Sequence, residues 1–123
     1  MHYSDSHRRA RLAASIPPAK HTGLVSMVHR LIEQNKYVPT GHAKKRLDGR
    51  EVSIKEVRAV LVSGKRDSDR DKFHVFDDGG NRINRWSYAF VKRGLDRKLR
   101  VCVSLLTDDI DKQLLIVTVV DEA

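Results

Sequence analysis

Near Gly64 the spacing of apolar residues along the chain changes period, and that change limits the available folds more than any other feature. Upstream, Leu24, Met27, Val28, Leu31 and Ile32 recur three and one residues apart, the stripe of an amphipathic helix. Pro39 breaks that helix, and Thr40 is placed to cap a short second one over 41–47 that stops at Asp48-Gly49. A third helix starts at Ser53. There Ser53 and Glu56 form a capping box, each side chain satisfying a free backbone N–H at the helix start. Ile54, Val57, Val60 and Leu61 give this helix its apolar side, and Gly64 ends it.

Downstream the period falls to two. "KFHVF" is a short strand followed by the turn-forming "DDGGN". In "RWSYAFV", Trp86, Tyr88 and Phe90 share one side of a strand. In "KLRVCVSLL", Leu99, Val101, Val103 and Leu105 face one way and Arg100, Cys102 and Ser104 the other. "TDDIDKQ" turns the chain, and "LLIVTVV", apolar on both faces, reads as a central strand. The expected fold is α+β, with two or three N-terminal helices on one face of a three- to four-stranded antiparallel sheet. Residues 1–20, polar, basic and ending near Pro17-Pro18, read as a flexible arm, and residues 21–123 as one domain.

Several function classes are missing their signals. No run approaches the roughly 18 apolar residues of a membrane span, and the N-terminus lacks the apolar core of a signal peptide, so the expected location is cytoplasmic. Cys102 is the single cysteine, which rules out an intrachain disulfide. The six histidines are scattered without metal-ligand spacing. There is no phosphate-binding glycine loop, so no cofactor and no metal is expected.

Charge points elsewhere. Lys and Arg number 24 against 16 Asp and Glu, a net +8. Residues 1–60 hold most of the excess, and "VKRGLDRKLR" adds a local cluster. Such a field attracts RNA phosphates and acidic proteins alike. Within the basic segment, His42 and Arg46 are four apart and share a side of the second helix. Metal-free RNA cleavage needs a proton acceptor for the 2′-hydroxyl, a cation for the phosphorane and a donor for the leaving oxygen. Histidine and arginine have those properties. Lys92, Arg93, Arg97 and Lys98 surround a hairpin turn suited to an RNA backbone, and Trp86 and Tyr88 offer rings for base stacking or for the core.

The stretch "GHAKKRLDGREVSIKEVRAVLVSG", with "RKLRVCVSLLTDD" and "LLIVTVVDE", resembles the bacterial family numbered 4258 among domains of unknown function. The resemblance covers about residues 40–121 and rests on His42, Ala43 and Arg46, on Ile54 with Val57 one residue early, and on the closing Ile116–Val119 phrase. The join after Leu47 and the long "DDGGNRINRW" loop depart from the family pattern. The family looks related to RelE/ParE-type toxins, whose fold is shared with barnase-like and EndoU-like ribonucleases. The helix ahead of "YVPTGHAKKRL" is also similar to the layout of MqsR-type mRNA interferases. The resemblance implies a ribonuclease acting on RNA, including ribosome-associated mRNA, and held by an acidic antitoxin. Carried over, it implies His42 as acid or base, Arg46 and Arg100 on the phosphate and Thr118 in the final strand, with Lys44, Lys45, Lys92, Arg93, Arg97, Lys98 and Tyr88 on the RNA. A non-catalytic RNA-binding or interaction module is the alternative.

Overall fold

The computed structural model describes residues 17–107 and 112–122. Helix α1 (Leu24–Glu33) buries Leu24, Val28, Leu31 and Ile32, the stripe read from the sequence. It leads into β1 (Tyr37–Pro39) and then α2 (Gly41–Asp48), where the Thr40 hydroxyl accepts the Ala43 N–H. Helix α3 (Ile54–Ser63) carries the full capping box: Glu56 N–H donates to Ser53 Oγ, and Ser53 N–H to Glu56 Oε1. Gly64 lets the helix end run straight into the sheet, because a Cβ there would sit 2.8 Å from the Val91 carbonyl oxygen. The strands that follow are β2 (Lys65–Arg66), β3 (Lys72–Phe76), β4 (Arg82–Arg93), β5 (Lys98–Thr107) and β6 (Lys112–Glu122), with one turn of 3₁₀ helix at Ser68–Arg70.

The class is α+β, but the sheet is larger than expected and mixed. It has six strands in the order β1-β6-β5-β4-β2, with β3 also paired to β4. One strand falls between the first two helices, so the helices are not all N-terminal: β1 runs parallel to β6, Tyr37 opposite Leu114 and Pro39 opposite Ile116. Pro39 lacks an N–H and is tolerated on this outer strand. The alternation read in β4 and β5 is correct. Tyr88 lies opposite Val103 and Phe90 opposite Val101, and all four are buried under the helices. With Ile116 and Val119 of β6 and Val57, Val60 and Leu61 of α3 they form the core. No helix among the described residues is long and apolar enough to cross a membrane.

Two edges of this sheet are completed by side chains. Strand β4 pairs with β2 at Val91 and Phe90 and with β3 from Ser87 onward, which leaves Ala89 between the two partners. Asp71 fills the gap: its Oδ1 accepts the Ala89 N–H at 2.8 Å, while Arg66 donates to both Asp71 oxygens at 2.9 and 2.6 Å and to the Ala89 carbonyl. Burial raises the Asp71 pKa, but the Arg66, Ala89 and Lys20 contacts outweigh it and hold the carboxyl below its ordinary value. On the far side, β1 covers β6 only to Ile116. The Thr40 hydroxyl then donates to the Val117 carbonyl, and Arg46 donates to that of Val119.

The described end of the expected arm is docked rather than free. Trp86 Nε1–H donates to the Pro18 carbonyl at 2.8 Å, and Lys20 lies 3.0 Å from Asp71 and over the Trp86 ring. The arm's first sixteen residues lie outside the described part of the chain.

Candidate functional site

Helices cover one face of the sheet. On the other, alternation and register place Ala89, Cys102 and Thr118 in one row and Val91, Arg100 and Val120 in the next. A groove of about 450 Å³ opens over these rows, walled by the 3₁₀ turn and β3, and its lining includes Arg70, Lys72, His74, Arg100, Cys102 and Thr118. Arg100 and Thr118, both candidates from the sequence, therefore meet here. Arg100 Nη1 forms an ion pair with Glu122 Oε1 at 2.6 Å.

The groove also holds a histidine that the sequence reading passed over. His74 Nε2 is 2.9 Å from Ser87 Oγ. Burial pulls the His74 pKa below its ordinary 6.5, Lys72 and Arg85 act in the same direction, and Asp78 opposes them. These effects favour the neutral ring, the form that accepts a proton. Its signal was present in the sequence: a histidine two residues from Lys72, on the face of "KFHVF" away from Phe73. Burial pushes the thiol of Cys102, on the floor, up against the opposing pull of Thr118 and Arg100, which leaves less of it as the reactive thiolate.

The other sequence candidates are distributed differently. His42 is exposed on α2 and does not line the groove. Arg46 is not free for phosphate. Besides Val119 it bonds Glu51 at 3.0 Å and approaches Asp121 at 3.5 Å, on the helix-bearing side of β6, opposite the side that carries Arg100. Arg97 is likewise committed: it pairs with Glu56 at 2.9 Å and Asp121 at 3.3 Å and donates to the Glu51 carbonyl, tying the β4–β5 turn to α3. Lys92 donates to Ser63. Lys44 and Lys45 are exposed on α2, and Arg93 and Lys98 flank the turn. Tyr88 cannot stack on a base, since it is buried in the core with its hydroxyl accepting the His21 N–H. Trp86 is half-buried against Phe73 and Tyr88. Among the described residues no group of three His, Cys, Asp or Glu is gathered to hold a metal ion.

The architecture so far is that of a small α+β domain with helices on one sheet face and, on the other, a polar groove lined by Arg70, Lys72 and Arg100 and by the acids Asp69 and Asp71. The chain belongs to the family described as Domain of unknown function (DUF4258), whose model matches residues 40–121, the region spanning α2 to β6. No curated protein and no solved structure matches it.

Proposed function

We propose that the open-face groove binds RNA and that the protein is a metal-independent ribonuclease of the RelE/ParE-like kind, with His74 in the acid–base role first assigned to His42. The observation that carries this reading is the meeting of Arg100 and Thr118 with His74 and the cations Arg70 and Lys72 in one groove, which Asp69 and Asp71 also line. In the reaction, the 2′-oxygen attacks the adjacent phosphorus as His74 takes its proton. The bond from phosphorus to the 5′-oxygen breaks as that oxygen takes a proton from water, leaving a 2′,3′-cyclic phosphate and a 5′-hydroxyl. Arg100 and Lys72 offset the charge on the non-bridging oxygens, where oriented cations in a partly dry site act most strongly. The Thr118 hydroxyl donates to the same phosphate.

The test is cleavage of single-stranded RNA in the presence of a chelator. Parent protein cleaves, His42→Ala cleaves at the parent rate, and His74→Ala is slower by about 10²- to 10⁴-fold, the range for loss of a general base. Parent-like cleavage by His74→Ala refutes the assignment.

A second reading, binding without cleavage, is favoured by the existing commitments of the two key groups, His74 to Ser87 and Arg100 to Glu122. It predicts salt-sensitive RNA affinity and no product. With about three groove cations on phosphate, the logarithm of affinity falls with the logarithm of salt at a slope near −2.

A further inference from the structure

Beyond the groove, the β3–β4 hairpin continues outward with a different chemistry. Its register pairs Lys72 with Ser87, His74 with Arg85 and Phe76 with Arg82. The irregularity falls on the β4 side, at Ile83 and Asn84, where Asn84 takes φ 44°. Strand β3 therefore keeps its alternation, and Lys72, His74 and Phe76 face the same way, about 6.7 Å apart in sequence. Phe76 is 57 % exposed, whereas Trp86, Tyr88, Phe90 and Phe73 are occupied on the helix-bearing side.

A single exposed phenylalanine on a surface needs no explanation by itself. This one is on the groove face, two residues beyond the candidate acid–base group, with arginine as its cross-strand partner and as its neighbour's partner. An open ring flanked by arginines, with the carboxylates of Asp77 and Asp78 in the adjoining turn, is suited to single-stranded nucleic acid: the ring takes a base while the arginines hold the flanking phosphates. We propose that Phe76 is a base-stacking platform for single-stranded RNA, seating the nucleotide next to the phosphodiester in the groove, with Arg82 and Arg85 on its backbone. The inference rests on the groove being the RNA site and adds what that site recognises: an unpaired base. A duplex, with its bases stacked on one another, has none to offer.

The experiment is fluorescence anisotropy of a short labelled oligouridine, and of an RNA duplex, with parent protein, Phe76→Ala, Phe76→Trp and Arg100→Ala. Phe76→Ala weakens oligouridine binding by about 5- to 150-fold, Phe76→Trp restores it, and neither changes duplex binding. The Trp variant keeps the test valid should the Ala variant lose the hairpin's shape. If Phe76→Ala binds oligouridine within about twofold of parent while Arg100→Ala weakens it, the stacking role is wrong and the groove stands. Equal weakening on oligouridine and duplex also overturns the stacking role. If the parent binds neither RNA, the groove reading falls and the Phe76 role falls with it.

Discussion

Asp71 offers the most direct test of how this sheet is held together. Its carboxylate takes the place of a missing strand residue beside Ala89, and its side chain is 1 % exposed. Asp71→Ala leaves the N–H of the fully buried Ala89 without an acceptor, which costs about 1–3 kcal/mol. It also removes the two charge-assisted bonds from Arg66. Because that guanidinium is 24 % exposed, water recovers part of the loss, and about 1.5 kcal/mol, the low end for such bonds, applies. The sum is about 2.5–4.5 kcal/mol, a large share of the roughly 5–15 kcal/mol that holds a domain folded. Asp71→Asn keeps an acceptor for Ala89 but puts an NH2 group, which cannot accept, where Oδ2 meets Arg66 Nη2; it loses the charge and one Arg66 bond and costs about half as much. Urea denaturation at pH 7, followed by circular dichroism, measures both. The reasoning is refuted if Asp71→Ala lies within about 1 kcal/mol of the parent, or if the Ala and Asn variants are equal. A pH series gives a second check. The folded pKa of Asp71 lies below its ordinary 3.8, so its contribution is complete above that value and is lost as pH falls through the folded pKa. The parent's advantage over Asp71→Ala should therefore shrink only below about pH 4.

Two further outcomes follow from the geometry. Arg46→Ala lowers stability by about 1–3 kcal/mol in the same urea assay, while RNA affinity stays at the parent value, because the guanidinium serves the β6 edge and not the groove; a loss of RNA affinity at unchanged stability would contradict this. His74, with a folded pKa below 6.5, contributes stability that is complete above pH 6.5 and declines as pH falls through the window beneath it. Thermal melts at pH 7.5 and 5.5 should show a smaller drop for His74→Ala than for the parent.

What could be read from the sequence was whatever short-range chemistry decides. The Ser53–Glu56 box and the Thr40 cap act over three residues, and both are present in the structure as expected. The alternation in β4 and β5 assigned faces correctly, and so put Arg100 on the open side. Strand β1 could not be read, because three residues containing a proline carry no period. Only its parallel partner, about eighty residues away, makes it a strand. The same distance hid the role of Arg46. Four residues from His42, it looks like half of a catalytic pair, yet its nearest partner in β6 is the Val119 carbonyl. Tyr88 and Trp86 were open to either reading, and the helices settled the matter by covering their side of the sheet. His74 was legible only as part of a strand, since the groove that gives it meaning is assembled from four separate strands and a turn.

The partial cover of β6 bears on how the molecule survives at high concentration. "LLIVTVV" is a short, uncharged, β-branched run of the kind that stacks into fibrils when its backbone is left bare. A three-residue strand shields its first half, and past Ile116 the threonine hydroxyl and the arginine fork occupy the carbonyls that an incoming chain would otherwise pair with. A side chain that looked like part of a catalytic pair thus serves as a guard against templated self-assembly.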